Sequence, residues 1–400
     1  MNIIKRTFAF LIAAALGFSL FAACSTEDDT PKGDVNLDKT IVATIEGVNV
    51  TQADYNLIYK TIYDQLAQYE QYYGEDWITM PVDGISTFGD YIRRNADTQV
   101  KTLVIAEILA EEMYGIKSND EKVKKAVDKQ YKEFKAQFGS NEAYNQFLST
   151  AKTTDAAVKK SVQRSEILVR LQEKATAKGE VAYVPEDETL EAFKAEKVRV
   201  QHILISTQEQ TDSQTGAVTE ARTDAEAQKI VNEILAKLAK GENFDKLIDE
   251  YDEDPGMESG KFYVFGPGEM VAEFEEASFN LKVGEYTKQG VKTSYGYHII
   301  KKYDIDKDVE EFKAYKSEQE QIKLSDIITA KADELDIRWE TEALDKYVFE
   351  WINEMRKAKG LNPLEGQELG INIPTEEETD AGNTDTKESD AETSGEEKTK

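Results

Sequence analysis

Val198-Arg-Val-Gln-His202-Ile-Leu-Ile205 and Thr293-Ser-Tyr-Gly296-Tyr-His298-Ile-Ile-Lys301 hold both histidines of this 400-residue chain, roughly a hundred residues apart. Each stretch is short, apolar and β-like. Period-two alternation places Val198, Val200, His202 and Leu204 on one strand face. Between the two strands, Thr223-Asp-Ala-Glu226 reads as a capping box for a helix carrying Ile230, Ile234, Leu235 and Leu238 and closing at Gly241. Phe244, Leu247, Ile248 and Tyr251 continue as a second helix. The spacing predicts a mixed α+β unit over residues 197–304.

The flanks have a helical texture. Residues 40–196 open with a strand and turn, Ile41 to Val48, after which Thr51-Gln-Ala-Asp54 caps a helix. Ser118 with Glu121 reads as a capping box ahead of Val123, Val127, Tyr131, Phe134 and Phe138, closed by Gly139. A further helix carries Tyr144, Phe147 and Leu148, and one from Thr154 carries Val162, Ile167, Leu168 and Leu171. The tyrosines from Tyr55 to Tyr73, at helical spacing, read as packed core more readily than as a groove. Residues 305–363 resume the pattern with Val309, Phe312 and Tyr315, then Leu344, Tyr347, Val348, Trp351, Ile352 and Met355 before Gly360. These stripes need a partner surface, and the N-terminal helices are the available one. The expected fold class is α+β: a mainly helical domain made from both flanks, with the α+β unit inserted.

The net charge of −29 argues against nucleic acid as a partner, because such binding needs basic patches. Residues 364–400 are rich in Glu, Asp, Thr, Ser and Gly and read as an acidic disordered tail that cannot bury enough apolar area to offset its ordering entropy. At the other end, Lys5-Arg6 followed by the uncharged run Thr7 to Ala23 has the pattern of a secretory signal, too short to span as a helix. Cys24, the only cysteine, has no partner for an intramolecular disulfide. Phe21-Ala22-Ala23-Cys24 resembles the bacterial lipobox, with Phe21 in place of the usual leucine. That resemblance implies cleavage after residue 23, lipid on Cys24 and a polar tether over 24–39. Acyl chains contribute about 0.8 kcal/mol per buried CH₂, so the chain would be anchored to a membrane without spanning it.

Read in order, the central residues carry a family likeness: His202-Ile-Leu204, Asp254, Gly260, Phe262, Phe265, Gly268-Glu-Met270, Phe274 to Phe279, Gly284-Glu285 and Thr293 to Ile300. Together they resemble the parvulin family of peptidyl-prolyl isomerases. The resemblance implies that His202, His298 and Asp254 form a hydrogen-bonded cluster with Thr293 and Tyr295 beside it. It also implies that Phe262, Met270 and Phe274 form the proline pocket, with Met270 and Phe274 at i and i+4 of one helix. Rotating an Xaa-Pro amide makes and breaks no bond, so neither cofactor nor metal is expected, and two separated histidines do not supply a typical tetrahedral metal set. Two departures stand out. Ser259-Gly-Lys-Phe262-Tyr263 replaces the family's Gly-Gly-Asp-Leu-Gly, which narrows the pocket or reshapes its loop. Ser206 to Glu220 lacks Lys and Arg, which argues against phosphoserine-proline selectivity.

As a whole the chain resembles PrsA-type extracytoplasmic foldases with SurA-like helical flanks. That likeness implies proline-containing, unfolded or newly exported polypeptides as partners, held near the membrane through lipidated Cys24. Two other readings remain open at this point: a holdase whose parvulin-like domain only docks clients, and a surface lipoprotein displaying an acidic tail. Whether two copies pair as a homodimer also stays open.

Overall fold

A computed structural model describes residues 36–82, 86–211 and 218–365. The expected signal, the Cys24 anchor and the tail from residue 366 onward lie outside the described residues. The chain divides into two compact units, one formed by Ala175–Leu324 and the other by the residues on either side of it.

On the N-terminal side, β1 (Ile41–Ile45) and β2 (Val48–Thr51) form an antiparallel hairpin. Thr51 then caps α1 (Gln52–Leu66) through a capping box with Asp54. The one-turn α2 (Glu70–Tyr73), the long α3 (Phe88–Tyr114) and α4 (Glu121–Ala136) follow. The box expected from Ser118 and Glu121 does not form. Asp120 is the residue ahead of α4, and its carboxylate turns back to accept from the Lys117 N–H at 2.9 Å, so the helix starts later. After α5 (Asn141–Thr150), Thr154 caps α6 (Asp155–Ala175), its hydroxyl accepting from the Ala157 N–H at 3.1 Å. The tyrosine stripe divides: Tyr55 and Tyr59 are core, whereas Tyr72 and Tyr73 are 73% and 51% exposed.

The second unit is longer than the expected 197–304 span. Phe193, on α7 (Glu186–Glu196), packs with Ile305, Val309 and Phe312, which brings flanking residues into the same body. Its sheet is built on β3 (Val198–Ser206), and β4 (Gln210–Thr211) pairs with β5 (Val218–Thr219) in a separate small hairpin. Helices α8 (Asp224–Ala239), capped by the Thr223–Glu226 box, and α9 (Phe244–Tyr251) lead to β6 (Tyr263–Phe265), α10 (Ala272–Asn280), β7 (Val291–Lys292) and β8 (Gly296–Tyr303). The sheet order is β6-β3-β8-β7, antiparallel throughout. One face buries Ile203, Ile205 and Ile299 under Val231, Ile234 and Leu247; the other buries Val198, Val200 and Ile300 with Phe265 and Phe274. The strands thus follow the alternation read from the sequence.

On the C-terminal side, α11 (Glu310–Ala332) precedes β9 (Ile337–Trp339) and α12 (Thr341–Ala358). β9 pairs antiparallel with β1, Ala43 facing Trp339, to complete a three-stranded sheet ordered β2-β1-β9. The two flanks therefore share one helical body, and the fold is mainly helical with an α+β unit inserted.

Candidate active site

The two histidines meet because of strand register. In the β3–β8 ladder His202 faces Ile300 and Leu204 faces His298, so the imidazoles are diagonal neighbours on the same sheet face. Gly296 makes that approach feasible. Its φ is +148°, and a Cβ there would lie 2.2 Å from the Ile205 carbonyl oxygen.

β6 covers only the start of β3, pairing with Val198 to Val200. Along the rest of that edge the acidic run after α9 takes over. The Leu204 N–H donates to Asp252 Oδ1 at 2.7 Å, the Ser206 N–H donates to Glu253 Oε2 at 2.7 Å, and the Glu253 N–H donates to the Leu204 carbonyl at 3.1 Å. Arg222 pairs with Glu253. Burial pushes the Asp252 carboxyl up to about 6. This stitching delivers the next acid, Asp254, to His202.

The polar groups form a single directed chain. His202 Nε2 lies 2.8 Å from Asp254 Oδ2, His202 Nδ1 lies 2.9 Å from His298 Nδ1, and His298 Nε2 lies 2.9 Å from Thr293 Oγ1. The Tyr295 N–H donates to Thr293 Oγ1 at 3.1 Å, the Gly256 N–H donates to Asp254 Oδ1 at 2.8 Å, and the Tyr263 hydroxyl donates to Asp254 Oδ2 at 3.0 Å. One assignment satisfies every group with both imidazoles neutral: Thr293 donates to His298, His298 Nδ1–H donates to His202, and His202 Nε2–H donates to the carboxylate. The charge state agrees. The hydrogen bond from His202 holds the Asp254 carboxyl well below the usual range, outweighing partial burial, and burial pushes His298 down to about 3 with the neighbouring His202 adding to the shift.

An apolar floor lies against this chain. The Phe274 ring sits edge-on to both imidazoles, 5.2 Å from His202 and 5.1 Å from His298 between centroids. Met270 packs into the same cluster with Val198, Val200, Phe265 and Ile300. Met270 and Phe274 do not share a helix, because α10 begins at Ala272 after Val271, so Met270 reaches the cluster from the preceding turn.

Two expected site residues lie elsewhere. The Phe262 ring is edge-on to Tyr303 and stacked on the Arg199 guanidinium at 3.7 Å. Alternation along β6 explains it: Tyr263 and Phe265 share the site face, and Phe262 points away. Tyr295 is 52% exposed and contributes its backbone N–H, since Thr293 Oγ1 already fills the position next to His298. Tyr263, noted in the sequence only as a departure that narrows the pocket or reshapes its loop, donates to Asp254 beside His202, and the parity of Phe265 was the signal that could have given it this place. Among the described residues no three His, Cys, Asp or Glu side chains gather as a metal site.

Comparison with known proteins follows the same lines. Residues 186–305 match the family model of the PPIC-type PPIase domain. The chain is similar to the foldase protein PrsA of Caldanaerobacter subterraneus subsp. tengcongensis, 30% identical over 337 residues that cover 83% of this chain and 94% of that one. It is 56% identical over 82 residues to the PrsA of Geobacillus kaustophilus, covering 20% of this chain and 29% of that one. The crystal structure of PrsA from Bacillus cereus covers 77% of this chain and 96% of its own, at 25% identity and a TM-score of 0.28.

Proposed function

The chain belongs to the PrsA foldase family and carries a parvulin-type peptidyl-prolyl isomerase domain, and from that premise we propose that it is a lipid-anchored extracytoplasmic foldase acting on exported chains. In this reading residues 1–23 are removed, Cys24 carries lipid, and the helical flanks hold unfolded segments while the inserted domain turns Xaa-Pro bonds. Cys24→Ser should release the chain from the membrane fraction.

The observation that carries the catalytic part is the unbroken chain Thr293–His298–His202–Asp254 lying against Phe274, which shares an apolar cluster with Met270. Uncatalysed rotation faces a barrier of about 18–20 kcal/mol because the planar amide is resonance-stabilised and charge-separated. The twisted amide is less polar. Phe274 and Met270 would seat the proline ring, and the anionic Asp254 and neutral imidazoles beside the carbonyl would disfavour the planar, charge-separated form relative to the twisted one. Reaching millisecond turnover requires roughly 5–6 kcal/mol of such preference, at about 1.4 kcal/mol per tenfold. Each member of the chain has a fixed donor or acceptor role, so the environment is set before substrate arrives.

A second reading, a holdase with a silent isomerase domain, is favoured by Tyr72 and Tyr73, which stand exposed beside Tyr69 in the helical body and offer an aromatic surface to unfolded chain. Refolding of a client limited by a slow proline step separates the two. The foldase reading expects substoichiometric full chain to accelerate the slow phase and Asp254→Ala to abolish that effect while still suppressing aggregation. Suppressed aggregation with an unaltered slow phase in the wild type would leave only the holdase.

A further inference from the structure

The Tyr263 hydroxyl and Gly256 are fitted to one another. Tyr263 is half-buried, its ring 5.5 Å from His202, and its hydroxyl donates to the same Asp254 Oδ2 that accepts from His202. A Cβ built on Gly256 would fall 2.2 Å from that hydroxyl oxygen but 3.5 Å from the ring carbon bearing it. Gly256 has no left-handed backbone to accommodate, since it is absent from the positive-φ glycines. The main obstacle to a side chain at this position is the hydroxyl oxygen, with Asp254 Oδ1 at 3.2 Å having to yield only a few tenths of an ångström. The two residues bracket Asp254, Gly256 through its N–H to Oδ1 and Tyr263 through its hydroxyl to Oδ2.

We propose that Tyr263 is a positioning residue of the isomerase site, with Gly256 as its obligate partner: together they clamp the Asp254 carboxylate so that it stays an anion and always accepts from His202. The inference rests on the isomerase reading above. With the clamp in place, His202 must keep its proton on Nε2, which leaves Nδ1 as the acceptor for His298 and fixes the direction of the whole chain. Without it, Asp254 Oδ2 keeps one donor instead of two, the carboxylate becomes more basic, and the histidine pair binds a proton more readily. Tyr263 acts through Asp254, so turnover should suffer while substrate affinity does not. The large residue in β6 is then a part of the catalytic arrangement in this chain and not an obstruction of it.

Three readouts on the full chain test this. For Tyr263→Phe, which keeps the ring, kcat should fall roughly five- to tenfold, the loss of about one hydrogen bond, with KM unchanged and the acid limb of the pH–rate profile moved to higher pH. Gly256→Ala should cause a similar loss by displacing the hydroxyl, and the double variant Gly256→Ala/Tyr263→Phe should be no worse than Tyr263→Phe alone. Because the chain has two histidines, ring-¹⁵N labelling resolves two imidazoles, and their pH of protonation should rise in both single variants. Losses that multiply in the double variant, or ring-nitrogen signals in Tyr263→Phe that titrate as in the wild type, overturn the proposal. A wild type without isomerase activity would defeat the isomerase reading instead, and the ring-nitrogen titration would still decide whether the clamp exists.

Discussion

Both compact units bury polar side chains, but over very different spans of chain and to different ends. In the helical body, Arg93 donates to Asp345, 252 residues away, at 3.0 Å, and also pairs with Asp97 and donates to the Tyr55 hydroxyl. Asn56 donates to the Tyr347 hydroxyl, 291 residues on, at 2.9 Å, and Arg356 pairs with Asp76, 280 residues back, at 2.7 Å. These are cross-braces tying the N-terminal flank to the C-terminal one, in the same sense as the β1–β9 pairing. In the inserted unit the buried histidines and Thr293 instead run through neighbouring side chains on one sheet face and end at a carboxylate beside an aromatic floor. Scattered braces hold a body together. A contiguous, directed chain does something to what lies against it.

Substitutions can break that contrast. The largest effect is expected from Arg93→Ala. Its side chain is 12% exposed, and its carboxylate partners would lose their shared cation, leaving Asp345 partly buried without it and Asp97 with the Tyr55 hydroxyl as a donor, at a cost of about 3 kcal/mol. Chemical denaturation should register that loss in the helical body with kcat/KM for a proline peptide unaltered. Asp254→Ala should do the reverse, lowering kcat/KM about a hundredfold, or about 2.7 kcal/mol, with aggregation suppression intact.

A third test uses pH. His298 is held at about 3 against an ordinary 6.5, so as pH falls below 6.5 the unfolded chain takes up a proton that the folded one refuses. Stability is therefore lost on acidification, by roughly 2 kcal/mol between pH 6.5 and 5 for this group. Asp252 works in the opposite direction, since its folded form, raised to about 6, binds a proton first and gains stability as pH falls from 6 toward 4. Unfolding midpoints of wild type and His298→Gln measured across that range should converge as pH drops, and curves that stay parallel would contradict the assignment.

The smallest effect sharpens the contrast most neatly. Tyr59 is buried in the helical body, and its hydroxyl has no hydrogen-bond partner among the described residues. Tyr59→Phe should raise stability by up to about 1 kcal/mol, read as a higher unfolding midpoint, and leave turnover alone. The same exchange at Tyr263 should cost activity.

The sequence made the inserted unit legible because its determinants are local. Period-two alternation in β3 and β8 and the Thr223–Glu226 box each act within a few residues, so the strand faces and the first helix follow from short stretches, whereas the meeting of His202 with His298, 96 residues apart, was implied by the family resemblance and is made by the β3–β8 register. The helical stripes were legible for the same reason, down to the caps at Thr51 and Thr154. What escaped depended on parity and on long range. Phe262 was placed in the pocket by motif position, yet one residue along a strand reverses the face, and Tyr263 holds the site. Tyr295 was placed beside the cluster by the family resemblance, whereas its side chain is 52% exposed. The Arg93–Asp345 and Arg356–Asp76 braces have no local signature, because each half is an ordinary charged residue on an amphipathic helix.

In the proposed mechanism the histidine pair hydrogen-bonded to an ionised Asp254 lowers the barrier to proline rotation beside Phe274 and Met270. Exchange spectroscopy on an Xaa-Pro peptide with catalytic amounts of full chain tests it directly. Cis–trans exchange should move from tens of seconds to well below one second with the wild type and stay slow with Asp254→Ala or His298→Ala. Exchange that remains at the uncatalysed rate with the wild type, or that is accelerated equally by the variants, would contradict it.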